Sequence, residues 1–302
     1  MSHDTDSLKS ILFALGANGA IAIAKLGAAL YTGSNSLLAE AIHSFADCGN
    51  QGLLLWGLRR AKRPPTPDHP LGFGKAIYFW SFIVALLLFS MGGMFSIYEG
   101  IHKLDQEGGL NRPWLAIGIL AFSLVLEAVS MRACLQAVNR ARGDQALWPW
   151  FRQTRQSALI VVLGEDIAAL AGLVLALAAI LLTMATGDPV FDAAGSIAIG
   201  VLLVGVAMGV GAEIKSLLIG ESVEPAVRQA MEDFLRARPE VEEVFSLLTL
   251  QLGDDVMVAV KARMRESSSA SVLIGDINRC EEALRAQFPR VRWLFFEPDV
   301  AD

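Results

Sequence analysis

Cysteine is scarce in this chain. Three occur, Cys48, Cys134 and Cys280, with no C-x-x-C pair among them. That excludes a disulfide framework and a zinc ribbon. Charge is scarce as well, at 19% of residues against roughly 25% in an ordinary soluble chain. The net charge is −6, and no basic patch of any size offsets it, so no nucleic-acid partner is expected. Neither a nucleotide-binding loop nor a nucleophile constellation is present. The chain therefore does not read as an enzyme and calls for no prosthetic group. The first residues, MSHDTDSLKS, lack the positive n-region of a cleavable signal peptide, and the expectation is that the first apolar helix inserts by itself.

What the chain has in abundance is apolar length. Hydrophobic residues make up 54% of it, and its mean hydropathy is +0.47. Six stretches are each near the roughly 20 residues that cross a bilayer: about Leu12–Tyr31, Ser36–Leu58, Ile77–Ile101, Trp114–Val138, Ala158–Met184 and Phe191–Gly211. The sixth is rich in Gly and Ala, which allows close helix packing. Lysine and arginine concentrate after the second span (Arg59, Arg60, Lys62, Arg63, Lys75) and after the fourth (Arg140, Arg142, Arg152, Arg155), while the first and fifth loops have none. The positive-inside rule then places both termini in the cytoplasm. These features define an α-helical polytopic membrane protein with a transmembrane domain over residues 1–220.

From residue 221 to 302 the composition becomes that of a small soluble domain. Helix, hairpin and helix signals give the order αββαβ: helices at about Glu224–Arg238 and Ser271–Gln287, strands at about Val241–Leu252, Val256–Met264 and Val291–Phe296. This suits a two-layer α+β fold with helices on one face of a sheet. About 80 residues is small for independent stability, so dimerisation is expected.

Ionisable residues inside spans are costly and therefore candidates for function. His43 and Asp47 stand four residues apart in the second span, stacked on one helix face. Imidazole plus carboxylate is half of a tetrahedral divalent-cation site; a hydrogen-bonded pair joining helices is the alternative. Glu165 and Asp166 are adjacent acids in a nearly all-aliphatic fifth span. A cation, protonation or an ion pair with Lys25 would each neutralise them. Neighbouring residues point about 100° apart on a helix, so one acid is expected to face the ion and the other a supporting position. Glu127 in the fourth span reads first as an interhelical hydrogen-bond partner and second as part of a proton route. Asn50 and Gln51 read as supports of the site, Glu40 as a neighbour of His43, and Asp68 with His69 as a solvated turn. The C-terminal domain has no histidine, and its acids read as solvated surface.

Four motifs in order resemble the cation diffusion facilitator family: YTGSNSLLAEAIHSFAD (Tyr31–Asp47), HPLGFGKA (His69–Ala76), DPVFDAAGSIAIG (Asp188–Gly200) and SLLIGESVEP (Ser216–Pro225). The terminal αββαβ order is similar to that family's ferredoxin-like cytoplasmic domain. The resemblance implies a homodimer that exports Zn²⁺ or a related cation in exchange for protons, across a plasma (bacterial inner) membrane. It implies metal ligation by His43 and Asp47, with Asp166 carried over and Glu165 as a physical substitute for a missing ligand. The family's fifth-span H-x-x-x-D is altered here. In one register Val162 stands at the histidine position; in the other Glu165 stands there and Ala169 replaces the aspartate. Phe73 occupies a loop position where some relatives have a second histidine. One imidazole with up to three carboxylates would accept Mn²⁺, Fe²⁺ or Co²⁺ alongside Zn²⁺. The rival readings are a non-transporting membrane metal sensor or scaffold, and a proton-coupled transporter of another solute.

Overall fold

The computed structural model describes residues 35–104 and 113–301, together with residues 12, 15, 16, 18–24, 26, 27 and 30; side chains at 35–43 and 46 lie outside that description. The described residues between 12 and 30 are helical, within the first expected span. The helix α1 (Asn35–Ala61) covers the second. Four further helical spans among the described residues are long and apolar enough to cross a membrane: Ala76–Leu104, Pro113–Arg142, Ser157–Thr186 and Val190–Ile219. The first is built from α2 (Ala76–Leu87), a π-helical turn (Leu88–Met94) and α3 (Phe95–Leu104). The others are α4 (Pro113–Arg142), α6 (Ser157–Thr186) and α7 (Val190–Ile219). Between α4 and α6, the basic and Trp-rich segment contains a short helix, α5 (Leu147–Gln153).

Two features depart from the expected spans. The sixth does not stop at Gly211; α7 continues to Ile219, because Ala212 to Ile219 contains no helix breaker and Gly220, with φ +134°, supplies the stop. The third is not a regular helix: the amide of Phe95 donates to the carbonyl of Ser90 as well as to Gly92, a five-residue step that widens one turn.

Contacts divide the chain into two compact units, the first comprising residues 1–57, 79–147 and 157–214. Glycines allow its helices to approach. A Cβ at Gly93 would lie 2.7 Å from Val204 Cγ2, and one at Gly200 would lie 2.7 Å from the Gly93 carbonyl oxygen. The π-helical turn and α7 thus meet backbone to backbone, as small-residue packing in a membrane requires. Along α4, Ser123, Glu127, Ser130 and Cys134 are all buried. Their spacing of four, three and four residues puts them on one stripe, and α4 packs along α6.

The second unit comprises residues 58–78, 148–156 and 215–302. Its sheet has the order β1 (Val241–Leu252), β2 (Asp255–Met264), β3 (Val291–Pro298), with β1–β2 antiparallel and β2–β3 parallel. Together with α8 (Pro225–Arg236) and α9 (Ala270–Gln287) this gives the αββαβ order. Leu252 pairs with Asp255, so the β1–β2 turn has two residues, Gly253-Asp254, with Gly253 at φ +70°. Val256, Val258, Val260 and Ala262 of β2 alternate inward onto Met231 and Leu235 of α8 and Cys280 and Leu284 of α9. Ser269 caps α9 by accepting from the Val272 amide.

The loop carrying HPLGFGKA belongs to this unit. A Cβ on Gly74 would fall 1.9 Å from the Leu252 carbonyl oxygen, so only glycine allows the loop to touch the hairpin there. Beside it the Tyr78 hydroxyl accepts from the Gly253 amide at 3.1 Å. Arg155 binds the other end of the unit, with Nε donating to the Ser222 carbonyl at 2.8 Å and an ion pair to Glu221 at 2.7 Å.

Candidate cation site

The acids of the spans converge on one small cavity within the first unit. It has a volume of about 30 Å³, room for about two water-sized occupants. Six described helical segments contribute to its wall. Asn18 comes from the first helical segment, Asp47 from α1, Leu88 from the start of the π-helical turn, Glu127 from α4 and Leu203 from α7. Helix α6 supplies the most, with Glu165, Asp166, Ala168 and Ala169. A π-helical turn forms part of this wall, a placement such turns often have.

Helix spacing explains how α1 meets α6. Asn50 and Gln51 follow Asp47 by three and four residues, hence share its side of α1. Their amides hold both oxygens of Glu165: Asn50 Nδ2 donates to Oε1 at 3.3 Å and Gln51 Nε2 to Oε2 at 2.7 Å. These two residues therefore brace an acid of the cavity, as a supporting role requires. Asp166 is held differently. Ser130 Oγ of α4 donates to Oδ1 at 3.3 Å, while Oδ2 is buried and has no hydrogen-bond partner. Gln51 Oε1 is also buried without one. Both atoms are acceptors, so what each lacks is a donor or a cation. Leaving such an atom unmet in a low-dielectric interior costs about 1–3 kcal/mol.

The remaining sequence candidates fall as follows. The side chains of His43 and Glu40 lie outside the described residues, as does Lys25, so the His43 ligand and the Lys25 ion pair are not located. Val162 is fully buried and is absent from the cavity wall, whereas Ala169, one turn beyond Glu165, is part of it. Among the described residues no three His, Cys, Asp or Glu side chains converge closely enough to hold a metal ion. The acids line the cavity as separate walls. Asp68 and His69 are exposed in a tight turn where Thr66 and His69 bond through their backbones. The His69 ring packs 4.4 Å from that of Phe73, which Arg60 covers at 5.2 Å.

Two residues of the wall go beyond what the sequence assigns to the site. Glu127 reaches the cavity, and Asn18 joins it with no motif to mark it. Both are polar groups isolated in apolar helices, the signal by which they can be found. The C-terminal acids need one correction. Glu240 is not solvated: its side chain is 9% exposed. Its Oε1 accepts from Arg238 at 2.9 Å and Arg279 at 3.3 Å, and Oε2 lies 3.8 Å from the Cys280 thiol. Two guanidinium groups offset the cost of burying that charge.

Residues 11–219 match the cation efflux transmembrane domain. The chain is 35% identical over 247 residues to the proton-coupled zinc antiporter SLC30A9, mitochondrial, of Xenopus laevis, covering 81% of this chain and 44% of that protein. It is 28% identical over 253 residues to metal tolerance protein C4 of Arabidopsis thaliana (83% of this chain, 55% of that one). With the cation-efflux pump FieF of Escherichia fergusonii it shares 24% identity over 265 residues, 88% of this chain and 83% of the pump. The chain spans less than half the length of the SLC30A9 proteins it matches.

Proposed function

Because this chain belongs to the cation efflux (cation diffusion facilitator) family, we propose that it carries divalent metal cations across a membrane through the cavity between α1, α4 and α6. The observation that carries this is the buried Asp166 Oδ2, unpartnered at the wall of a cavity shared with Asp47 and Glu165. A dication supplies a positive charge to that oxygen. Asp47 and Asp166 are the direct ligands from the described residues, with His43 joining from the turn before Asp47. Glu165 is braced by two amides and lends charge from beside them. Zn²⁺ is the first cargo, in line with the zinc antiport that names the SLC30A9 relatives, and the oxygen-rich wall extends the range to Mn²⁺, Fe²⁺ and Co²⁺.

Ligands must be deprotonated to bind metal, so protons and cations compete for the same oxygens. Alternate exposure of the cavity to the two sides then exchanges cytoplasmic metal for external protons without a separate proton device. The basic loops after the second and fourth spans orient the protein with both termini in the cytoplasm, in a plasma membrane. Residues 221–302 serve as the dimerisation domain. Its sheet face away from the helices presents Leu248 and Phe295, 66% and 57% exposed, both paired with Ala259 across β2. A second copy of the domain would cover that face.

The test is flux in proteoliposomes loaded with a metal-sensitive dye under an imposed pH gradient. Zn²⁺ uptake that acidifies the opposite compartment and is abolished in Asp47→Ala supports the reading. Metal binding without flux would select the sensor or scaffold, and proton movement indifferent to every divalent cation would select another solute.

A further inference from the structure

The segment between α4 and α6 carries a surface that the cation cavity does not use. Helix α5 (Leu147–Gln153, LWPWFRQ) has two sides. Trp150 is buried, while Trp148 is 69% and Leu147 42% exposed. Leu147, Trp148, Phe151 and Arg152 follow the i, i+1, i+4, i+5 spacing of one helix face. The rings of Trp148 and Phe151 stack there, 5.8 Å apart at 12°, and Arg152 stands exposed one turn after Trp148. An apolar, aromatic face with a guanidinium beside it is that of a helix lying in a membrane interface. The chain ties α5 to that plane. Residues 143–146 separate it from α4 and residues 154–156 from α6. Both neighbours are long and apolar enough to cross a membrane, and four extended residues reach at most about 14 Å. The charge of the segment is positive: residues 139–156 hold Arg140, Arg142, Arg152 and Arg155 against Asp144 alone. Arg155 pairs with Glu221. Arg142 donates instead to neutral acceptors, the Asn139 side-chain oxygen at 2.8 Å and the Gln145 carbonyl at 2.5 Å.

We propose that α5 is an in-plane membrane anchor for anionic phospholipid. Its exposed face enters the acyl-chain boundary, while Arg152, and Arg142 on the α4 side of the segment, each take a lipid phosphate. A guanidinium fits phosphate oxygens bidentately, and an anionic leaflet offers apolar and negative surface side by side. A second copy of this chain is the poorer occupant, since it would set the same basic rim against itself. The anchor fixes the depth of the connection between α4 and α6, and its hold strengthens with the anionic content of the leaflet. None of this depends on what the cavity carries.

Tryptophan fluorescence of the full chain in proteoliposomes tests this. Phospholipids brominated near the headgroup end of the acyl chain quench from the membrane, and acrylamide quenches from water. The chain has six tryptophans, so the Trp148 signal is the difference between wild type and Trp148→Phe, or Trp148→Tyr if the first does not fold. That signal should be roughly halved by brominated phosphatidylcholine and little changed by acrylamide. Brominated phosphatidylglycerol at the same mole fraction should quench it about threefold more strongly. Arg142→Gln with Arg152→Gln should remove that preference and leave the phosphatidylcholine quenching in place; Arg152→Gln alone should lessen it, and carries the test if the pair does not fold. Quenching by acrylamide and not by bromine would put α5 in water, and quenching by neither would put protein over its face; either result overturns the anchor. Equal quenching by the two brominated lipids in wild type overturns the anionic phosphate site.

Discussion

Asp166 and Glu240 are both acids with largely buried side chains, one in each compact unit, and they are treated in opposite ways. Glu240 has its charge answered by Arg238 and Arg279 and its second oxygen set beside a thiol. Asp166 has neutral donors only, the Ser130 hydroxyl on Oδ1 and the Cys134 thiol, and no hydrogen-bond partner on Oδ2. A buried carboxylate that the chain satisfies itself is part of the fold. A buried carboxylate left short of a donor in a cavity calls for another explanation, and under the proposed function that explanation is the cation. The distinction depends on partners, not on burial, and an isosteric amide at each position separates the two cases.

The largest effect is expected from Asp166→Asn. It replaces a carboxylate with an amide of equal size, so folding should be preserved. Cation flux should fall by about two orders of magnitude or more, roughly the 2.7 kcal/mol that one charge-assisted interaction supplies. Glu240→Gln, made the same way, should leave flux within about threefold of wild type. Equal loss in both variants would erase the contrast. The next effect runs the other way. Glu240→Ala takes the acceptor from Arg238 and one of two from Arg279, which keeps Asp276, and local stability should drop by about 1–3 kcal/mol, discounted for the exposure of Arg279. Cys280 is fully buried beside it, so alkylation of that cysteine, followed by peptide mass spectrometry in the intact protein, should speed up about 5- to 100-fold. Cys134 of α4 serves as the internal reference and should not change.

Much of this architecture is legible in the chain, and the part that is not has a physical reason. Strand alternation and helical stripes in the C-terminal region mark β1 from Val241 to Leu252 and the buried Cys280 and Leu284 of α9, because a small core demands a clean apolar pattern. In the spans nearly every position is apolar, so the pattern gives helix existence but not which side faces inward. Isolated polar residues carry that information. They mark Asp47, Glu165 and Asp166, and with Glu127 and Ser130 they trace a second wall. The π-helical turn at Leu88 is illegible, since Gly92 and Gly93 signal close packing without specifying an extra residue per turn. The role of Gly74 is equally hidden: the contact that requires it is with Leu252, far away along the sequence.

A smaller effect probes how Asp166 is braced. Ser130→Ala removes the hydroxyl that donates to Oδ1, about 1 kcal/mol of a neutral hydrogen bond. Metal affinity should weaken about fivefold, because the carboxylate keeps its charge and loses only its orientation. Thr at the same position restores the hydroxyl and should restore affinity, measured by equilibrium dialysis of the detergent-solubilised full chain with Zn²⁺. A loss as large as that of Asp166→Asn would mean that Ser130, not the carboxylate charge, governs binding.

The smallest expected effect is on pH dependence, and it belongs to Glu240 and Cys280. Burial pushes Glu240 up, but its own backbone amide, Arg238 and Arg279 outweigh that and hold it below its ordinary 4.5. A carboxyl depressed in the folded state contributes stability that is complete above its unfolded value. That contribution is lost as pH falls from about 4.5 through the lower folded value. Cys280 moves oppositely: burial, then the nearby Glu240 charge, raise its thiol above 9.0. A raised thiol favours the neutral form in the fold, so its contribution is present below pH 9.0 and is lost as pH rises beyond it. Unfolding of the second unit, followed through hydrogen exchange of β1 and α9 in the full chain, should therefore be flat between these limits, with stability falling at both ends. Glu240→Gln should remove the acid limb and lessen the alkaline one, since the charge that helps raise the thiol is gone. An acid limb that survives in Glu240→Gln would assign it to other carboxylates, and Glu240 would then lose its standing as the satisfied counterpart of Asp166.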